Sequence, residues 1–159
     1  MTKFYKVSEE RFALDGGSAA DYADVKLPAR ATSGSAGYDF FAPFELKIAA
    51  GETVKVPTCI RCRMDEGRVL AIFPRSGLGF RYKLALDNTV GIIDADYFGA
   101  DNEGHIMIKM TNRGDKDLVV EKGKAFAQGI FLQYFLTDDD AASGSRTGGF
   151  GSTDAPSGK

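Results

Sequence analysis

The chain has 159 residues and a net charge of −2, with 43 % hydrophobic and 26 % charged residues, as in ordinary globular domains. This composition excludes a disordered or fibrous chain, and the balanced charge gives no global field that would attract nucleic acid or an anionic membrane. The chain has no apolar run of about 18 residues, and residues 1–15 lack the apolar core of a signal peptide. We therefore expect a cytoplasmic protein.

The elements predicted along the chain are mostly short strands separated by turns. The first segment differs, because Ser8 can cap a helix over 9–14 that has acidic residues in its first turn. Residues 15–24 are expected to form a surface loop. Alternating or continuous apolar residues then predict strands over 53–56, 60–64, 69–73, 105–110, 118–120 and 129–136. Many short strands with almost no helix predict an all-β sandwich or barrel.

The end of the chain has a different composition from the rest. Residues 137–159 contain five glycines, an acidic run over 138–140 and few apolar side chains apart from Phe150. Such a segment cannot bury enough apolar surface to fold alone. We predict one β domain over 1–136, followed by a mobile glycine-rich arm over 137–159.

Three segments contain residues suited to chemistry. In 74–79, Arg75, Ser76 and Gly77 follow an apolar strand, so the turn can offer positive charge and backbone N–H groups to an oligophosphate. An ordinary turn with a solvated arginine is the alternative. In 91–99, Asp94 and Asp96 lie two residues apart, so on a strand they share one face. Either the segment supplies a general base or metal-associated group, or it is a hairpin with two solvent-facing aspartates.

The third segment lies in the predicted arm, over 146–153. Phe150 can stack on a nucleobase while Arg146 and the hydroxyls of Ser152 and Thr153 reach phosphates. The alternative is a disordered linker rich in glycine and serine, which is the usual meaning of this composition.

Five segments, over 36–39, 74–79, 91–97, 123–128 and 148–153, occur in one order and spacing. Together they resemble the five motifs of the trimeric dUTP pyrophosphatases (dUTPases), and the resemblance extends over about 26–153. It implies a distorted jelly-roll β-barrel and a homotrimer with active sites at the subunit interfaces. It also implies Mg²⁺-assisted hydrolysis of dUTP to dUMP and pyrophosphate, by attack of water on the α-phosphate. Such a dUTP diphosphatase limits uracil incorporation into DNA and supplies dUMP for dTTP synthesis.

The resemblance also implies roles for single residues. Asp94 would orient and deprotonate the attacking water, and Tyr97 would lie under the deoxyribose and leave no space for a 2′-hydroxyl. Asp39 would support the metal and phosphate network, with Mg²⁺ held by the substrate phosphates and water and not by direct protein ligands. The other expected substrate-binding residues are Arg75, Ser76, Gly77 and Gln128 at the phosphates, Asn88, Gly91 and Ile93 at the uracil edge, and Arg146, Phe150, Gly151, Ser152 and Thr153 in the arm.

Two positions depart from the family pattern. Ala125 stands where the family has an arginine, with Lys124 just before it, and Arg146 lies four residues before Phe150 where the family more often has five. Two alternatives share the expected scaffold. One is a dCTP deaminase or a bifunctional deaminase and dUTPase, and the other is a regulatory protein that binds dUTP.

Cys59 and Cys62 form a CxxC pattern, but on the predicted strand their side chains lie on opposite faces, with Cys59 on the polar one. Opposed side chains cannot share a metal, so we disfavour a zinc or redox site. The single histidine, His105, is expected at the surface or in an interface. Residues 100–103 are expected to form a hairpin tip or a small insertion.

Overall fold

The computed structural model describes residues 1–144, Arg146 and Gly148. Within this part of the chain, strands are the main element and the helices are short. In chain order the elements are β1 (Lys3–Lys6), α1 (Glu9–Leu14), α2 (Ala19–Asp24), β2 (Ala29–Arg30), β3 (Tyr38–Phe41), β4 (Leu46–Ile48), β5 (Thr53–Pro57), β6 (Ile60–Arg63), β7 (Arg68–Pro74), α3 (Ser76–Tyr82), β8 (Leu84–Leu86), β9 (Gly91–Ile93), a 3₁₀ helix (Ala95–Gly99), β10 (Met107–Asn112), β11 (Leu118–Val120) and β12 (Ala125–Gln133).

The described strands pair into four sheets. The largest has the order β2-β3-β12-β7-β9, and beside it are a three-stranded sheet, β5-β10-β8, and two pairs, β1-β6 and β11-β4. The pairing is antiparallel in each sheet. Apart from β2 and β3, paired strands are not consecutive in the chain, so the connections cross between sheets and enclose one core. The mostly-β architecture predicted from the sequence is confirmed.

Alternation along the strands builds this core. In β10, Ile108 and Met110 are buried on one face while Lys109 between them is exposed, as the period of two requires. Leu70 of β7 and Phe126 of β12 are fully buried in the same cluster. Each such side chain stabilises the fold by about 1.5–3 kcal/mol relative to leaving it in water.

The helices agree with the sequence only in part. Helix α1 forms as predicted, and the Ser8 hydroxyl accepts a hydrogen bond from the Arg11 N–H at 3.0 Å. Residues 15–24 lie at the surface as expected, but 19–24 form helix α2 and not a loop. The Ser18 hydroxyl caps this helix by accepting a hydrogen bond from the Asp21 N–H at 3.1 Å. No helix within the described ranges has the length and apolar character needed to span a bilayer.

Two segments near the predicted site differ from the expected strand and turn. Residues 76–82 form helix α3 and not only a turn, and it ends where Lys83 adopts a left-handed conformation with φ 51°. Strand β9 ends at Ile93, and a 3₁₀ helix begins at Ala95. Asp94 and Asp96 therefore do not share one face of a strand, because the period of two stops before them.

The expected positions of Cys59 and His105 were wrong. Cys59 is fully buried with φ 65°, because β6 begins only at Ile60 and the alternation does not reach residue 59. Both thiols are free, and burial raises the pKa of Cys59 to about 11 and that of Cys62 to about 12. His105 is also fully buried, because the side chain of Asp15 and the backbone of Cys59 supply it with hydrogen-bond partners. The predicted division at residue 136 stays a prediction.

Candidate active site

A cavity of about 560 Å³ lies beside the turn that joins β8 to β9, two strands of different sheets, and we call it the hairpin cavity. Its volume falls in the range of small-molecule sites. Apolar side chains form most of its surface, and charged or amide groups lie among them. The lining residues are Lys55, Ile72, Leu86, Asp87, Asn88, Gly91, Ile92, Ile93, Tyr97, Met107, Ile108, Lys109 and Arg146. Asn88, Gly91, Ile93, Tyr97 and Arg146, all predicted from the sequence, thus meet in one place.

Strand β9 lies close against β7 at Gly91. This residue pairs with Ile72 of β7, and a Cβ added to it would lie 3.1 Å from the Cβ of Ile72. A glycine here lets β9 lie against β7 and brings its backbone to the cavity surface. The turn between β8 and β9 holds Asn88 at the cavity edge. The turn after β8 and the strand β9 therefore present both an amide side chain and backbone groups to a ligand.

Tyr97 is held in the cavity wall by its hydroxyl. Its side chain is buried, and the hydroxyl donates to the carbonyl oxygen of His105 at 2.8 Å. The hydroxyl oxygen also accepts a hydrogen bond from Nδ2 of Asn102 at 2.7 Å. Burial raises the pKa of the Tyr97 phenol, so it is neutral at physiological pH. The ring is a fixed, uncharged surface.

Asp94 lies between the end of β9 and the 3₁₀ helix, with 49 % of its side chain exposed. Arg146 Nη2 lies 3.0 Å from Asp94 Oδ2, and Arg146 Nε lies 3.5 Å from Asp96 Oδ1. The guanidinium carbon is 5.6 Å from the centre of the Tyr97 ring. Arg146 therefore places its positive charge next to the Asp94 carboxylate, and the two groups form a charge-assisted hydrogen bond.

A second group of predicted residues forms at the far end of β7. Arg75 immediately precedes α3, and its Nε lies 3.2 Å from Asp39 Oδ1 on β3. Gln128 of β12 pairs with Asp39 on one side and Phe73 on the other, and its Nε2 donates to the Pro74 carbonyl at 3.2 Å. Ser76 and Gly77 are exposed in the first turn of α3. We call Asp39, Arg75, Ser76, Gly77 and Gln128 the phosphate cluster, after the role that the sequence predicts for them.

The hairpin cavity and the phosphate cluster are separate within one chain. Asp94 follows Ile93, which pairs with Leu70 near the start of β7, whereas Arg75 follows Pro74 at its end. At about 3.3 Å per residue the two positions are roughly 20 Å apart along the strand. Within one chain, Asp94 and Arg75 therefore lie near opposite ends of β7.

Phe150, Gly151, Ser152 and Thr153 lie outside the described residues. Of the predicted arm residues, only Arg146 is described. Within the described residues, no group of three or more His, Cys, Asp or Glu side chains comes together to hold a metal ion.

The sequence did not identify the residues of the cavity that come from β7, β8 and β10. Alternation predicts that Ile108 and Lys109 lie on opposite faces of β10, yet both line the cavity. Lys55 of β5 joins them because it pairs with Lys109 across the sheet. Strand pairing is needed to find these residues, and no local signal marks them.

Comparison with known proteins identifies one family. The family model named dUTPase matches residues 23–154. A deoxyuridine 5′-triphosphate nucleotidohydrolase of Lactococcus lactis is 41 % identical over 136 residues, which cover 84 % of this chain and 91 % of that protein. A protein of the same name from Shewanella baltica is 41 % identical over 137 residues, covering 81 % and 87 %.

Solved structures show the same fold. The dUTPase from Streptococcus mutans superimposes with a TM-score of 0.69 at 35 % identity, covering 85 % of this chain and 98 % of that one. A mutant dUTPase of Staphylococcus aureus phage phi11, described with a structural Mg(II) ion, has a TM-score of 0.65 at 16 % identity and covers 91 % and 97 %. The described strands are therefore those of the distorted jelly-roll barrel expected from the sequence.

Proposed function

This chain belongs to the dUTPase family, and we propose from that premise that it hydrolyses dUTP to dUMP and pyrophosphate. The observation that carries the proposal is the hairpin cavity, which Tyr97 and Arg146 line and where Arg146 pairs with Asp94. The relatives named for this reaction cover most of the chain. The activity would limit uracil incorporation into DNA and supply dUMP for dTTP synthesis.

The hairpin cavity suits the nucleoside half of dUTP. The side chain of Asn88 and the backbone at Gly91 and Ile93 can pair with the uracil edge, while apolar side chains cover its faces. A cytosine would leave some of these donors and acceptors unpaired, which costs more than a poor fit of shape. The buried Tyr97 ring then supports the deoxyribose and fills the space that a 2′-hydroxyl needs.

Asp94 is the proposed general base. Its carboxylate takes the proton of a water molecule whose oxygen bonds to the α-phosphorus, while the bond from that phosphorus to the bridging α–β oxygen breaks. Pyrophosphate leaves with the electron pair of that bond. Arg146 now pairs with Asp94, and it moves to the γ-phosphate when dUTP binds. The carboxylate is then free to accept the proton, with Phe150 covering the uracil and Gly151, Ser152 and Thr153 adding phosphate contacts.

The phosphate cluster supplies the positive charge and the hydrogen bonds for the triphosphate. Arg75 is already oriented by Asp39, so little side-chain freedom is lost when the phosphates bind. A Mg²⁺ ion would be held by the substrate phosphates and water, and the Asp39 carboxylate beside Arg75 could accept hydrogen bonds from that water. When bound, the ion would neutralise charge that builds up on the leaving pyrophosphate.

We propose a homotrimer in which each active site takes the hairpin cavity from one copy and the phosphate cluster from another. The separation of Asp94 and Arg75 by roughly 20 Å along β7 supports this, since one dUTP molecule must place its α-phosphorus beside Asp94 while its triphosphate binds Arg75. Closed rotational symmetry then gives three equivalent sites. We also propose a cytoplasmic location, which two free and buried thiols support because a reducing compartment keeps cysteines unpaired.

The decisive experiment is pyrophosphate release from a panel of dUTP, dCTP, dTTP and UTP, with Mg²⁺ and with excess EDTA. We expect hydrolysis of dUTP with Mg²⁺, little with the other nucleotides, and a large loss with EDTA. Release of ammonia from dCTP would show a deaminase, and tight dUTP binding without turnover would show a regulatory protein.

The shared site is tested by mixing two inactive variants. Asp94→Asn and Arg75→Ala are purified separately, unfolded together and refolded at equal ratio. If each site draws on two copies, random assembly of trimers restores about a quarter of the sites. Refolding each variant alone is the control, and absence of recovery in a mixed trimer would place the whole site within one chain.

A further inference from the structure

The Tyr97 hydroxyl is enclosed by a short segment that follows the 3₁₀ helix, residues 100–105, which we call the bracket. It provides the Asn102 amide as a donor and the His105 carbonyl as an acceptor to one oxygen atom. Because the Tyr97 hydroxyl both donates and accepts a hydrogen bond within this segment, a tilt of the ring would lengthen at least one of the two bonds. The bracket therefore determines the position of the ring that forms the cavity wall.

The bracket is itself rigid. Oδ1 of Asn102 accepts from the Gly104 N–H at 3.1 Å, so the amide is oriented with Nδ2 towards Tyr97. Gly104 has φ 68°, and a Cβ there would lie 2.5 Å from the Tyr97 carbonyl oxygen and 2.8 Å from the Phe98 Cα. The segment thus closes tightly onto the 3₁₀ helix.

The N-terminal segment anchors the bracket at two points. The Ser8 N–H and hydroxyl donate to the Glu103 carboxylate at 2.8 and 2.6 Å. His105 Nε2 accepts from the Cys59 N–H at 2.8 Å, so the ring proton is on Nδ1 and donates to Asp15 at 2.6 Å. Asp15 in turn accepts two hydrogen bonds from Arg11. Helix α1 and its caps precede residue 23, where the match to the family model begins.

We propose that Asn102 and Asp15 are positioning residues that determine how strictly the site rejects a ribonucleotide. The inference rests on the proposed function, in which the Tyr97 ring excludes the 2′-hydroxyl. Steric exclusion works only while the excluding group cannot move, since a small displacement of the ring makes room for one oxygen atom. Asn102 holds the ring directly, and Asp15 holds it through His105.

The test compares kcat/KM for dUTP and for UTP in the full chain and in its variants. Asn102→Ala and Asp15→Ala are each expected to lower the ratio of dUTP to UTP by about three- to tenfold, the value of one lost hydrogen bond. The change should be mainly a lower KM for UTP, with kcat for dUTP nearly unchanged. Asp101→Ala is the matched control, because Asp101 is exposed on the same turn.

A double-mutant cycle separates positioning from general stability. Tyr97→Phe removes the hydroxyl, so Asn102→Ala should cause no further loss of discrimination in that background. Asp15→Asn keeps an acceptor for His105 Nδ1 and should retain most of the discrimination that Asp15→Ala loses.

The outcomes distinguish this inference from the proposed function. If the wild type does not hydrolyse dUTP, the proposed function is wrong. If it does, and Asn102→Ala leaves the ratio unchanged or lowers it equally in the Tyr97→Phe background, the bracket is only structural and the inference is wrong. Thermal unfolding of each variant confirms that the kinetics come from folded protein.

Discussion

The Arg75 guanidinium Nε lies 3.2 Å from Asp39 Oδ1, which ties the residue before α3 to strand β3. The arginine side chain is 45 % exposed and the aspartate 18 %, so the arginine keeps an accessible face while its partner lies deeper. An exposed ion pair of this kind adds little stability. Its value is orientation, because the guanidinium is held in place before the triphosphate arrives.

Arg75→Ala is expected to lower kcat/KM for dUTP by about 100-fold, since it removes a charged contact to the phosphates in the transition state. Steady-state pyrophosphate release measures it. Arg68→Ala is a matched control at the other end of β7, where the arginine is 49 % exposed and lies 3.7 Å from Asp65. An equal loss in both variants would mean that positive charge on β7, and not the phosphate cluster, supports the reaction.

Asp94→Asn is expected to lower kcat by at least about 100-fold while changing the affinity for a non-hydrolysable dUTP analogue only about threefold. The amide keeps the shape of the side chain but cannot accept the proton of the attacking water. Calorimetric binding and single-turnover kinetics separate the two effects. Asp101→Asn should match the wild type, and unchanged turnover in Asp94→Asn would remove Asp94 from the mechanism.

His105 makes stability depend on pH near neutrality. Burial lowers its pKa below the ordinary 6.5, and this outweighs the raising effect of Asp15. At a pH between the two pKa values, His105 is protonated in the unfolded chain and neutral in the folded one. The free energy of unfolding is therefore greatest above pH 6.5 and falls as the pH drops towards the folded-state pKa. The slope for one group is at most about 1.4 kcal/mol per pH unit.

Thermal unfolding between pH 8 and pH 5 checks this expectation. His105 is the only histidine, so His105→Gln should remove most of the slope just below pH 6.5. The carboxylates and cations that face His105, namely Asp15, Glu103 and Arg11, remain charged over most of this range. A variant that keeps the full slope would show that another group carries it.

Gly104→Ala is expected to destabilise the protein by more than about 3 kcal/mol, because the new methyl group overlaps backbone atoms of Tyr97 and Phe98. Gly51→Ala is the matched control. Gly51 also has a positive φ, 80°, but its added Cβ meets no heavy atom within 4 Å in the described part of the chain. It should cost only about 1 kcal/mol of backbone strain. Denaturant unfolding measures both, and equal losses would mean that Gly104 is not close-packed.

The local pattern of residues was enough for helix α1 and for six of the twelve described strands, β5, β6, β7, β10, β11 and β12. The period of two in β5, β6 and β10 and the serine cap at residue 8 are local signals, and they act within a few residues. The order of the glycine-containing motifs was enough for the family. The resemblance to that family predicted that Asn88, Gly91, Ile93 and Tyr97 belong to one binding site. The structure places all four around one cavity.

Other features depend on contacts between segments far apart in the chain. The 3₁₀ helix after Asp94, the burial of His105 beneath α1 and the cavity residues on β10 all arise from packing against distant segments, which no local window contains. The separation of Asp94 from Arg75 also depends on a long-range contact, the pairing of β9 with β7. The sequence alone determined which residue types can do the chemistry, because reactivity belongs to the side chain. Only the tertiary structure decided which of them meet, because strand register and long-range burial set distances that the order of residues does not contain.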